Sequence, residues 1–204
     1  MSQALIHTDE GPLRLRLGPL LNMTDDQLYE LCQLNPELQI ERTPQGELLI
    51  MPPTGGETSK RNLDLLVAVG TWAKHEGSGI AFDSSGGFIL PNSALRSPDV
   101  AWIRRSRLET LTTEQKKRFI PLCPDFVIKL RSPTDSLSAL QAKMQEYLDN
   151  GARLGWLIDP EDRRVYIYRS NGAIERLETP AELSGDPVLP GFVLDLREFW
   201  VTQL

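Results

Sequence analysis

Arg96-Ser97-Pro98-Asp99-Val100-Ala101-Trp102-Ile103 is the stretch on which the reading of this chain turns. Pro98 biases the residue before it toward extended backbone. The apolar run from Val100 then reads as a buried strand. Asp99 stands at the mouth of that strand. A second apolar run follows, Phe126-Val127-Ile128-Lys129-Leu130, and then a helical segment carrying Lys143. Acid, strand and lysine in that order suggest a phosphodiester-cleaving site. Such chemistry uses a divalent ion to activate water and stabilise phosphoryl charge. Carboxylate oxygens suit Mg²⁺, and a lysine can stabilise the developing anion. Asp99 is the candidate metal ligand and Lys143 its cationic partner.

Upstream of this stretch, Leu13-Arg14-Leu15-Arg16-Leu17 alternates as a half-exposed strand. Thr24-Asp25-Asp26-Gln27 has the form of a capping box, and the helix it opens closes at Asn35-Pro36. Residues 38–43 and 47–51 form a hairpin signal around Pro44-Gln45-Gly46. A long helix is expected over 57–76, ended by Gly77. Ile80-Ala81-Phe82 and Phe88-Ile89-Leu90 read as paired strands across residues 83–87. Downstream, one or two short surface helices are expected over 104–118 and a strand over 125–131. The last long helix is expected over 136–150, with Gly151 as its C-cap. Strands follow at 154–158, 165–168 and 173–177, and the body ends through Pro190–Asp195 and a turn at Trp200. This pattern describes one α+β domain over 23–204, a central mixed sheet flanked by helices, behind an N-terminal extension over 1–22.

At 204 residues, length favours a single domain with one sizeable core. No apolar run approaches the ~20 residues needed to span a bilayer. Met1–Gly18 lacks a charged start followed by an apolar core, so the expectation is a cytoplasmic protein. Cys32 and Cys123 lie far apart among apolar residues and read as two buried, reduced thiols. Neither His7 nor His75 has metal-ligand spacing to a cysteine or to the other histidine, which argues against zinc. The net charge of −6 argues against general coating of nucleic acid, yet it is unevenly spread. From Arg96 to Arg131 nine Lys/Arg face four Asp/Glu, a local net of +5 against −11 elsewhere. That segment is either a strip for one phosphate strand or a solvated helical face.

Lys143 follows Leu140 by three positions and precedes Tyr147 by four, so it borders the buried stripe of Leu140, Met144, Tyr147 and Leu148. It can reach over the sheet edge, or its stem can simply cover apolar surface.

The motifs Gly46-Glu47-Leu48, Met51-Pro52-Pro53, Arg96-Ser97-Pro98-Asp99-Val100 and Pro124-Asp125-Phe126-Val127-Ile128 occur in order. Lys143-Met144-Gln145-Glu146-Tyr147, Gly151 and Trp156-Leu157-Ile158-Asp159 follow them. From about Thr24 to Trp200 the chain thereby resembles the Uma-type family of putative bacterial restriction endonucleases, within the PD-(D/E)XK nuclease superfamily. The resemblance implies a restriction-endonuclease-like core, Mg²⁺ (or Mn²⁺) as cofactor and DNA as substrate. It also implies Asp99 as metal ligand and Lys143 as the lysine displaced from strand to helix. Glu57 matches an auxiliary catalytic and metal-binding acid, although an acid there also suits the helix dipole. Glu41 matches a glutamate found before the Gly-Glu-Leu turn, with a structural role as the alternative. Symmetric cutting of both strands would favour a homodimer.

Lys129 departs from the resemblance, because the family's strand carries a glutamate at that point. The exchange alters local charge by two units where a divalent ion would bind. Three arrangements follow: Asp125 substitutes, Glu57 or Glu41 supplies the ligand, or the fold persists without cleavage. The expected functions are therefore a Mg²⁺-dependent DNA endonuclease or a nuclease-fold module that binds nucleic acid or protein. A scaffold homodimer with no nucleic-acid role is the third reading.

Overall fold

A computed structural model describes residues 12–18 and 20–201. Residues 1–11, on which most of the reading of the N-terminus rests, lie outside the described residues. In chain order the elements are β1 (Leu13–Leu15), α1 (Asp25–Leu34), β2 (Gln39–Arg42), β3 (Leu48–Met51), α2 (Gly56–Glu76) and β4 (Gly79–Asp83). Then come β5 (Phe88–Ile89), β6 (Leu95–Arg96), β7 (Val100–Arg104), α3 (Arg105–Leu108), α4 (Thr113–Lys117) and β8 (Phe126–Leu130). The chain continues through α5 (Leu137–Asp149), β9 (Leu154–Asp159), β10 (Arg164–Arg169), β11 (Ile174–Glu178), β12 (Glu182–Ser184) and β13 (Val193–Asp195).

Local chemistry sets several of these boundaries. Thr24 Oγ1 accepts from the Gln27 amide at 3.2 Å while Gln27 Oε1 accepts from the Thr24 amide at 3.0 Å. Both donors belong to the orphan N–H groups of a helix start, so the expected capping box forms. At the far end of α2, Gly77 adopts φ +80°, a left-handed conformation that glycine reaches without a Cβ penalty. The C-cap of α5 is Asn150, and Gly151 follows it at φ +108°.

Two sheets carry the fold. The first runs β1-β3-β2-β6-β5 and is antiparallel throughout. The second runs β11-β10-β9-β8-β7-β4, with β8 and β9 parallel and its other pairs antiparallel. That one parallel pair needs a crossover, which α5 supplies. The result is the expected α+β architecture around a mixed sheet. β12 and β13 form a separate hairpin, which the sequence pattern did not reveal.

The pairing of residues 80–82 with 88–90 does not occur. β4 instead lies at the edge of the second sheet beside β7, and β5 pairs with β6 in the first. The turn over 83–87, held by Asp83 Oδ1 accepting from Ser85, carries the chain from one sheet to the other. Proximity in sequence suggested a hairpin, whereas β4 has a five-residue register with β7 to satisfy.

Side chains alternate across the second sheet with period two. On one face Val100, Trp102, Phe126, Ile128 and Trp156 pack against Leu65, Val69 and Ala73 of α2. On the other, Ala101, Ile103, Val127 and Leu157 pack against Leu140, Met144 and Tyr147 of α5. A smaller cluster of Leu28, Ile40, Leu48 and Leu95 joins α1 to the first sheet. Lys129 follows Val127 by two residues and therefore faces the α5 side.

Candidate active site

The chain leaves the first sheet at Arg96 and enters the second at Val100, so Ser97-Pro98-Asp99 is the link between them. The Asp99 amide donates to Ile128 O at 3.0 Å, and Asp99 Oδ2 accepts from the Leu130 amide at 2.6 Å. Asp99 thereby docks on β8. Its other oxygen, Oδ1, accepts from Lys129 Nζ at 3.1 Å.

Glu41 enters the same place from β2. Its Oε2 accepts from Lys143 Nζ at 2.7 Å and from Arg96 Nη1 at 3.3 Å, while Oε1 accepts from the Ser97 amide at 3.2 Å. Only 3% of Glu41 is exposed, so these donors replace water. Arg96, also buried, donates from Nε to Glu146, whose other oxygen accepts from Asn92 Nδ2 at 3.1 Å. Three carboxylates (Asp99, Glu41, Glu146) thus meet three cations (Arg96, Lys129, Lys143), with a formal sum of zero.

The charge states follow from these neighbours. Burial pushes the Glu41 carboxyl up, but the Lys143, Arg96 and Lys129 charges outweigh it and hold the group below its ordinary range. Burial likewise favours a neutral Lys129, yet Asp99 and Glu41 overcome it and keep the ammonium charged above its ordinary range. Burial lowers Arg96 too, and Glu41 and Glu146 more than restore it.

The structure brings Asp99 and Lys129 into one pair and Lys143 onto Glu41 beside it, with the Lys129 charge acting on Glu41 as well. It does not bring Glu57 to them by any ion pair among the described residues. Glu57 is more than half exposed and pairs with Arg61 at 3.5 Å, one turn along α2. That helix packs on the sheet face opposite Lys129. Asp125 is committed near the start of β8, where it accepts from the Arg104 amide at 2.9 Å and pairs with Arg107 at 3.0 Å. The basic run over 96–131 is largely neutralised within the fold. Arg118 pairs with Asp26, Lys117 with Glu114 and Arg131 with Asp159.

Mg²⁺ needs carboxylate oxygens at about 2.1 Å that are not already neutralised by a protein cation. Both oxygens of Asp99 and both of Glu41 already accept from protein donors, and an ammonium lies against each residue. Among the described residues no group of three or more His, Cys, Asp or Glu is arranged to hold a metal ion. This donor set does not fit Mg²⁺.

A family model described as "Putative restriction endonuclease" matches residues 25–197. The chain belongs to the Uma2 family. This Uma2 chain is also similar to a solved structure described as a putative nuclease of DUF820 from Anabaena variabilis, with 20% identity and a TM-score of 0.72. The likeness covers 88% of this chain and 99% of that one, and at such identity it shows the shared fold. Comparison with curated proteins finds no match. No helix among the described residues of the Uma2 chain is long and apolar enough to cross a membrane.

In sequence Arg96 and Glu146 stand out only as members of motifs. Glu146 lies three positions after Lys143, which places both on one helical face and was the available signal. Nothing in the sequence marked Arg96 as buried. Its partners, Glu41 and Glu146, come from distant segments of the chain.

Proposed function

We propose that this Uma2 chain engages the phosphodiester backbone of nucleic acid at the Asp99–Lys129–Lys143 cluster, and that Mg²⁺-dependent cleavage is not its activity. The family description names restriction endonucleases and that of the structural neighbour names a nuclease, so nucleic acid is the substrate class that follows. One observation carries the second half of the reading: Lys129 Nζ sits 3.1 Å from the carboxylate that a metal would need.

The same geometry supports binding. An ammonium has three N–H donors. Among the described residues Lys129 Nζ donates one hydrogen bond, to Asp99, and Lys143 Nζ donates one, to Glu41. Both side chains retain some exposure, 14% and 17%, and binding requires that their remaining donors meet phosphate oxygens.

The test is fluorescence anisotropy of a labelled DNA duplex and a labelled single strand in EDTA. Binding is expected at low salt, with affinity falling linearly on a log–log salt plot. Lys143→Met, checked for folding by circular dichroism, is expected to weaken binding and reduce the slope by about one for a lost phosphate contact. Absence of binding at about 50 mM salt would overturn the reading in favour of a scaffold role. Mg²⁺-dependent cleavage abolished by Asp99→Ala would overturn it in favour of an endonuclease.

A further inference from the structure

We infer that the Lys129 ammonium is the resident cation of this site, and that its charge against Asp99 keeps the cluster closed to divalent metal. The inference stands whether or not the chain binds nucleic acid.

Lys129 is the cation of the cluster that is bonded to Asp99. The Glu41 charge also acts on it across the link between the sheets. The other cations have different tasks. Arg96 ties Glu41 to Glu146 and also donates to Arg42 O at 3.1 Å, so it fastens the first sheet to α5. Lys143 reaches Glu41 from the helix side. Neither of them is hydrogen-bonded to Asp99 among the described residues. Removing the Lys129 charge would free Asp99 Oδ1 while leaving its Oδ2 on the Leu130 amide, so the carboxylate would remain oriented.

A carboxylate at position 129 would then project from the same strand face beside Asp99. The cluster would pass from neutral to a formal charge of −2, which equals the charge that one divalent ion neutralises. The frame would be kept, because Glu41 retains Arg96, Lys143 and the Ser97 amide. Mg²⁺ needs few protein carboxylates because it keeps several of its waters.

Isothermal titration calorimetry with MnCl₂ and MgCl₂ on wild type, Asp99→Asn, Lys129→Glu, Lys129→Glu/Asp99→Asn and Lys129→Gln tests this. Wild type is expected to show no saturable binding. Lys129→Glu is expected to bind Mn²⁺ at least about tenfold more tightly than wild type, a difference of about 1.4 kcal/mol. The double variant is expected to lose that gain. Saturable binding to wild type that Asp99→Asn removes would overturn the inference without recourse to a position-129 variant. A folded Lys129→Glu that binds no Mn²⁺ would overturn it equally. Should Lys129→Glu fail to fold, Lys129→Gln decides: Mn²⁺ binding above wild type supports the inference, and none refutes it.

Discussion

Glu41→Gln is the substitution whose effect the structure specifies most fully. The glutamate is 3% exposed and its two oxygens accept from Lys143 Nζ, Arg96 Nη1 and the Ser97 amide. Breaking a buried ion pair by removing one partner costs about 3–5 kcal/mol, mostly because the other charge is stranded. Here the lower end applies, since Arg96 keeps Glu146 and Lys143 can turn toward water. With a urea m-value of about 2–3 kcal/mol/M, a loss of about 3 kcal/mol lowers the midpoint by about 1–1.5 M. Adding Lys143→Met should recover part of that loss by removing the stranded ammonium. The pH dependence has a definite sign. Because the folded Glu41 carboxyl sits below its ordinary value of 4.5, its stabilising effect is complete above that value. It is lost as pH falls through the lowered folded value, so Glu41→Gln should flatten the acid limb of stability against pH. Equilibrium urea unfolding across the acid range is the assay. A midpoint shift below about 0.3 M at neutral pH, or an unchanged acid limb, would refute the reasoning.

Two further outcomes follow from packing and burial. A Cβ on Gly79 would stand 2.3 Å from the buried Trp102 ring, whereas one on Gly155 would chiefly meet the flexible end of Met144. Thermal or urea unfolding should therefore find Gly79→Ala destabilised by about 1–3 kcal/mol and Gly155→Ala by clearly less; the reverse order would contradict the packing described. Burial pushes the Cys123 thiol up to about 12, while Cys32 is only partly covered. Alkylation of the native protein should label Cys32 first and Cys123 only on unfolding, as peptide mass spectrometry would record.

The parts of this molecule that were legible in the sequence are those set by local rules. The capping box at Thr24, the stop at Gly77, the strand positions of residues 100–104 and 126–130 and the helix bearing Lys143 each follow from short-range chemistry or periodicity. Asp99, Lys129 and Lys143 could be singled out because their order along the chain matches their places at a strand mouth, a strand and a crossover helix. What stayed hidden depends on contacts between distant segments. Glu41 is polar in a short hairpin strand and gave no sign of burial; its burial rests on Arg96 and Lys143, 55 and 102 residues away. Strand partners posed the same problem, since β4 and β5 are neighbours in sequence but belong to different sheets. Apolar neighbours in sequence suggest burial for both cysteines, whereas Cys32, on the short helix α1, is only partly covered.

The most direct test of the central claim is incubation of wild-type protein with supercoiled plasmid in Mg²⁺, in Mn²⁺ and in EDTA. Nicking and retardation would be read on the same gel, beside Asp99→Ala. With Lys129 holding the place of a metal, retardation should persist in EDTA and need neither ion, although added divalent salt competes for the phosphates and can weaken it, and no nicked or linear product should accumulate. Nicking that requires Mg²⁺ or Mn²⁺ and disappears in Asp99→Ala would contradict the account.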